Sequence, residues 1–255
     1  MVMTAIEGSS VLITGGGSGL GEAIARHFVA LGARVTVAGR RGDKVEAVAA
    51  SLGGLCRSVR GDVSIGQDRA AILEAALEHG SGLTTLINAA GNMYRGPLDE
   101  LDEDRLLTLF HSNVVGPMKL TGHALPALRR SQGSVLFFGS VHTQRAFPGA
   151  SPYAATKGAL ETLAGVLAAE LGPSGVRVNA IRPGGVPTEI NQRAGLGTDE
   201  ENLKRMQGLA SAHALGRIGT GQEIADGAAY LATADWVTGT VLTVDGGLAL
   251  GVTNA

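Results

Sequence analysis

The sequence predicts a doubly wound α/β fold: a parallel sheet of about seven strands with helices on both faces, in a single domain over residues 1–255. Three observations carry this. Short β-branched runs alternate with longer Ala/Leu-rich stretches along the chain, the pattern of repeated βαβ units. The β-branched runs are continuously apolar rather than alternating, as strands covered on both faces are. A glycine-rich turn joins the first such run to the first Ala/Leu-rich one. No linker or compositional break divides the chain, and no repeat shows beyond the alternation itself.

In order, Ser10–Thr14 reads as a strand, Leu20–Leu31 as a helix, Arg34–Ala38 as a strand and Asp43–Leu52 as a helix. Leu55–Arg60 and Leu83–Asn88 read as strands flanking a helix over Gln67–His79. A long helical stretch, Leu101–Arg130, contains Pro117 and Pro126. Proline removes a helical hydrogen bond, so a break or bend is expected near Gly116–Pro117. Ser134–Phe138, Val176–Ile181 and Thr240–Val244 complete the strands, and Tyr153–Leu171 and Gln222–Thr233 the helices. From Pro183 to about His213 the chain is polar and Gly-containing with weak helical character. An insertion this long between two strands is expected to be a lid or binding loop, here near 184–213.

Composition narrows the classes. Net charge is −2 and the basic residues are thinly spread, so neither nucleic acid nor an anionic membrane surface is an expected partner. No apolar run reaches the ~18 residues of a membrane span. Cys56 is the only cysteine, which excludes an intrachain disulfide and a Cys-based metal site; the six histidines form no His-x-x-x-His spacing, so no metal is expected. Met1–Ser10 has an acid at Glu7 and no basic n-region, so no secretory signal is read and a cytoplasmic location is expected.

Thr14-Gly15-Gly16-Gly17-Ser18-Gly19-Leu20-Gly21 lies between the first strand and the first helix. Such a turn aims backbone N–H groups and the positive end of the helix dipole at one point, which suits a pyrophosphate. The glycines allow the tight turn, close approach of a ligand and close helix–strand packing, as in a Rossmann-type dinucleotide site. After the second strand stand Gly39, Arg40 and Arg41, where a carboxylate would bond the ribose of NAD and an arginine the 2′-phosphate of NADP. NADP(H) is therefore favoured, with NAD(H) left open; the alternative is that Arg40 is a solvated surface arginine. Asp62 follows the third strand and either accepts from the adenine amine or caps a turn.

Tyr153 and Lys157 are four residues apart, on one face of a helix. A phenol with a pKa of about 10 is a poor base at neutral pH, and a neighbouring cation favours its ionised form. A phenol tuned this way can protonate a ketone or deprotonate an alcohol.

With these motifs the chain strongly resembles the classical short-chain dehydrogenase/reductase family over almost its whole length. The matching segments are Thr14–Gly21, Asp62-Val63, Asn88-Ala89-Ala90-Gly91, Asn113, Ser140, Tyr153-Ala154-Ala155-Thr156-Lys157 and Arg182-Pro183-Gly184. The resemblance implies an NAD(P)-dependent enzyme acting on a small carbonyl or alcohol substrate. It makes Tyr153 the general acid/base, and has Lys157 lower the phenol's pKa while bonding the nicotinamide ribose. Ser140 would hold the substrate oxygen, and Asn113 would fix a water relaying protons from Lys157. Cofactor contacts carry over to Gly15, Gly17, Ser18, Gly19, Leu20 and Gly21, to Arg40, Arg41, Asp62 and Val63, and to Asn88, Ala89 and Gly91. They extend to Pro183, Gly184, Val186 and Thr188, the last bonding the carboxamide. A homotetramer built through helix faces and the apolar C-terminal segment is implied as well.

Two departures bear on the cofactor. Asn88-Ala89-Ala90-Gly91 has one side-chain amide fewer than many relatives, and Ser18 stands where many NADP-preferring relatives carry a basic residue. The substrate is less constrained. Ser140-Val141-His142 and Thr188-Glu189-Ile190-Asn191 look similar to segments of glucose 1-dehydrogenases, while the overall pattern equally resembles 3-oxoacyl thioester reductases. His142, Glu189 and Asn191, with Arg193, are candidate substrate contacts or ordinary polar loop residues. A non-catalytic dinucleotide-binding regulator is the alternative from another class, which the intact Tyr/Lys/Ser set disfavours.

Overall fold

The computed structural model describes residues 5–251; the two ends of the expected 1–255 domain lie outside the described residues. The strands are β1 (Ser10–Thr14), β2 (Arg34–Gly39), β3 (Cys56–Arg60), β4 (Thr85–Asn88), β5 (Ser134–Phe138), β6 (Arg177–Pro183) and β7 (Val241–Val244). They form one sheet in the order β3-β2-β1-β4-β5-β6-β7, every pairing parallel. Limits differ from the expected ones by one or two residues, the usual uncertainty at element ends.

Each strand shares its residues between two cores. Val11 and Ile13 of β1 face a layer with α1 (Gly19–Ala30), α2 (Gly42–Leu52) and α9 (Gly221–Thr233), where Ile24, Phe28, Val45 and Ile224 are buried. Leu12 faces the other layer, with α3 (Gly66–Gly80), α5 (Gly116–Ser131) and α6 (Ser151–Leu171), through Ile72, Leu120, Leu128 and Leu160. Both faces are covered, which is why the strand runs are apolar without alternation.

The helix before β5 narrows the break or bend expected near Gly116–Pro117 to an irregular turn just before it. No break interrupts the helix at Gly116–Pro117. α4 (Glu103–Phe110), capped by the Asp102 side chain, passes through a single π-helical turn, His111–Val115, into α5. The Gly116 N–H reaches back to the His111 carbonyl, an i→i+5 bond. Pro117 has no N–H to offer the Asn113 carbonyl, and the wider turn absorbs the missing bond just before it. Pro126 lies within α5 without ending it. The insertion after β6 is more ordered than its composition indicates, holding α7 (Ile190–Arg193) and α8 (Asp199–Gly208), the latter with a Thr198/Glu201 capping box. Among the described residues, no helix is long and apolar enough to cross a membrane.

Candidate active site

The strand order reverses between β1 and β4, so the helices following them diverge and leave a crevice at the strands' C-terminal ends. A cleft of about 430 Å³ lies there. At its floor, Gly15 has φ +71°, and a Cβ on it would sit 2.8 Å from the Ala90 nitrogen. A Cβ on Gly21 would overlap the Gly15 carbonyl, so the turn closes only with glycine at both places. No side chain caps the start of α1; the Ser18 hydroxyl instead accepts from Arg41 at 2.8 Å. Gly19, Leu20 and Gly21 therefore line the cleft with the first turn of an uncapped helix, flanked by Arg40, Arg41 and Lys44. That combination fits the phosphates of a dinucleotide.

Further along, Arg40 donates to Asn92 Oδ1 at 2.8 Å and lies 3.9 Å from the Asp62 carboxylate. Asp62 lines the cleft and also caps its own turn, accepting from the Ser64 N–H (2.9 Å) and hydroxyl (2.8 Å), so both expected roles are open to it. Val63, Ala89, Gly91, Pro183, Gly184, Val186 and Thr188 line the cleft as expected, together with Ser140, His142, Tyr153, Lys157, Glu189 and Asn191.

Two predicted residues do not. Asn88 is buried behind the wall, where its Nδ2 donates to Thr121 Oγ1 at 3.2 Å and its Oδ1 has no partner. Asn113 sits in the π turn, fully buried. Its Nδ2 donates to the Asn92 carbonyl (2.9 Å) and Thr156 Oγ1 (3.1 Å), while its Oδ1 accepts from the Asn92 N–H (2.8 Å). The amide is thus occupied in fixing the Gly91–Asn92 turn rather than free to hold a water.

Tyr153 lies in the first turn of α6, buried, with the His142 ring edge-on to it at 5.3 Å. Ser140 Oγ is 3.0 Å from His142 Nδ1. Burial pushes the Tyr153 phenol up to about 12, with the Ser140 hydroxyl acting in the opposite sense. This differs from the lowered value expected beside Lys157. The ammonium is committed elsewhere, donating to the Phe138 carbonyl at 2.9 Å, 5.5 Å from the Tyr153 ring centre. Burial brings Lys157 down to about 8, opposed by the Glu161 carboxylate. His142 is brought down to about 4, by burial first and the charge of Arg95 second, so it is neutral.

The sequence reading missed Lys44, Asn92, Arg95 and Arg205, which also line the cleft, and Glu161, which supports it from behind. Glu161 carried a signal: it follows Lys157 by four residues on a helix whose neighbouring positions are apolar. The others, Lys44 on α2, Asn92 and Arg95 on the segment after β4, and Arg205 on α8, belong to no motif of their own.

Comparison with known proteins agrees with this geometry. Residues 15–249 match a family model described as enoyl-(acyl carrier protein) reductase. The chain is 36% identical over 252 residues to an uncharacterized oxidoreductase of Methylorubrum extorquens, covering 96% of this chain and 100% of that one. It is 34% identical over 256 residues to an L-fucose dehydrogenase of Bos taurus, covering 97% and 92%. The solved 3-ketoacyl-(acyl-carrier-protein) reductase of Brucella melitensis, complexed with NADH, superposes with a TM-score of 0.88 at 28% identity, covering 96% of this chain and 99% of that one. The chain belongs to the short-chain dehydrogenase/reductase family and is an oxidoreductase that works with a nicotinamide dinucleotide.

Proposed function

We propose that the protein interconverts a ketone and a secondary alcohol with NADP(H), Tyr153 moving the proton. The observation that carries this is the convergence of Ser140, Tyr153 and Lys157 on one cleft, opposite the glycine turn and beside Gly91 and Thr188. The bound dinucleotide supplies or accepts the hydride. Ser140 holds the substrate oxygen against the Tyr153 hydroxyl. The buried phenol, held near 12, is protonated at neutral pH, the form that donates to a carbonyl oxygen. Lys157, carried by α6 one turn later, holds the ribose and supplies positive charge behind the phenol. The Asn113 side-chain amide fixes Asn92, and its backbone carbonyl, to which Pro117 has no N–H to donate, is the group to bind a relay water.

The cofactor preference rests on Arg40 and Arg41. Arg41 bonded to Ser18 brings a guanidinium to the glycine turn, where many relatives place a basic residue in the loop itself. Glu189 is held by Arg41 at 2.8 Å, which leaves His142 and Asn191 as the better candidates for touching substrate. The L-fucose dehydrogenase relative favours a hydroxylated substrate; the 3-ketoacyl reductase structure favours a 3-oxoacyl thioester. Residues 184–213 serve as the lid. Exposed Leu107, Phe110, Val115 and Met118 on α4–α5, and Trp236 at 92% exposure, suit a homotetramer. The lone cysteine and the reducing cofactor suit the cytoplasm.

Tyr153→Phe abolishes turnover and leaves NADPH affinity within about twofold, since the phenol is a proton donor and not a phosphate contact; retained turnover overturns the assignment. Arg40→Ala raises the KM for NADPH far more than that for NADH. An equal rise in both removes the 2′-phosphate role.

A further inference from the structure

The substrate end of the cleft carries two arginines that the reaction above does not use. Arg95 follows the Gly91–Asn92 turn and donates to the Pro148 carbonyl at 3.0 Å, next to Phe147, whose ring lies 4.4 Å from that of His142. Arg205 comes from the lid helix α8, where it donates to the Leu196 carbonyl (2.6 Å) and Asn202 Oδ1 (2.5 Å). Both line the cleft. Each is within the other's field: Arg95 is held below its ordinary pKa by burial and then by the charge of Arg205.

Among the described residues, none of the carboxylates that line the cleft is paired with either arginine. Among the described residues, only Asp62 and Glu189 bring carboxylates to the cleft wall. Asp62 is turned to Ser64 and Glu189 to Arg41. Glu201, on the same helix as Arg205, is spent capping that helix at Thr198. The cofactor's phosphates do not account for this pair either, since their cradle is the glycine turn with Arg40, Arg41 and Lys44. Two guanidinium groups on one cleft wall, Arg95 half-buried and Arg205 exposed, repel one another unless a negative group comes between them. The forked guanidinium suits a carboxylate or a phosphate.

We propose that the substrate carries an anionic group, a carboxylate or a phosphate, seated between Arg95 and Arg205 while its carbonyl lies at Ser140 and Tyr153. The placement of the carbonyl rests on the oxidoreductase reading above; the anion seat rests on the two arginines alone. His142, edge-on to Tyr153 and lining the same cleft, is neutral and adds no charge there.

The test compares 2-, 4- and 5-oxo acids with their methyl esters, and dihydroxyacetone phosphate with dihydroxyacetone, each with NADPH. At least one anion is expected to exceed its neutral partner tenfold or more in kcat/KM; the oxo-acid and phosphate arms tell the two sources apart. Arg95→Gln and Arg205→Gln each lower turnover of that anion tenfold more than that of its neutral partner. Neutral partners used as well as every anion overturn the proposal, as do variants that lower both alike. Binding separates this from the redox reading: calorimetry with the same anions on NADPH-loaded Tyr153→Phe, where turnover stops, still shows the anion preference. If no ketone is reduced by the native protein, that binding decides the anion seat, and its absence overturns it.

Discussion

Arg182 and Glu161 meet at 2.6 Å with side chains 10% and 9% exposed, while Arg41 and Glu189 meet at 2.8 Å with side chains 39% and 34% exposed. The residue types match and the surroundings do not. Glu161 also accepts from the Ser140 N–H (3.3 Å) and the Thr143 hydroxyl (3.0 Å), and Arg182 donates to Thr243 Oγ1 (2.9 Å). The inner pair therefore ties α6 to the ends of β5, β6 and β7, directly behind Ser140. The outer pair ties the start of α2 to the lid, with Ser18 as a second acceptor. A buried pair with its hydrogen bonds satisfied holds one geometry, because parting it strands a charge away from water. An exposed pair is worth about 0–1 kcal/mol and opens readily. The Ser140 end of the cleft is thus braced, and the end at the glycine turn is latched.

The largest break in that contrast is Glu161→Gln. It leaves the Arg182 guanidinium without its counter-charge in a buried site, at a cost of about 3–5 kcal/mol in urea unfolding. A loss below about 1 kcal/mol would make the inner pair no different from the outer one. Turnover falls too, since the Arg182 brace behind Ser140 loosens, although the glutamine oxygen can still accept from the Ser140 N–H. The alkaline limb of reduction sharpens the reading. Lys157 loses its proton near pH 8, and the Glu161 charge holds that value up against burial. In Glu161→Gln the ammonium is lost at lower pH, and the limb moves down by about one pH unit. A lowered kcat with an unmoved limb assigns Glu161 to bracing alone.

The same contrast explains what the sequence made legible. The sheet, the glycine turn, and Ser140, Tyr153 and Lys157 were readable because backbone geometry and buried chemistry restrict residue type and spacing. Gly21 admits no Cβ, and Tyr153 and Lys157 are one helical turn apart. Asn113 was readable as a position but not as a contact, because the π turn that aims it depends on how one proline is accommodated. Asn88 kept its place in the motif while its side chain turned to Thr121. Arg95 and Arg205 were invisible: they line one cleft from positions about 110 residues apart, on a loop and on α8, where no periodicity marks a cleft-facing side chain.

The smallest expected effect belongs to the outer pair. Glu189 is pushed up by burial, but the hydrogen bond and charge of Arg41 prevail and hold its carboxyl below the ordinary 4.5. A depressed carboxylate favours the closed lid at every pH above its ordinary value, and that contribution is lost as pH falls through the lowered one. The charge on Glu189 that closes the latch is therefore complete at neutral pH and is lost only in acid. Glu189→Gln should change global stability by less than about 1 kcal/mol, yet lower hydrogen-exchange protection across 190–208 at pH 7 to the level the native protein shows once Glu189 is protonated in acid. High salt should narrow the difference, since the pair is exposed to screening. Equal exchange in the variant and the native protein at pH 7 would mean that the lid is held by α7 and α8 packing on the cleft rather than by Arg41.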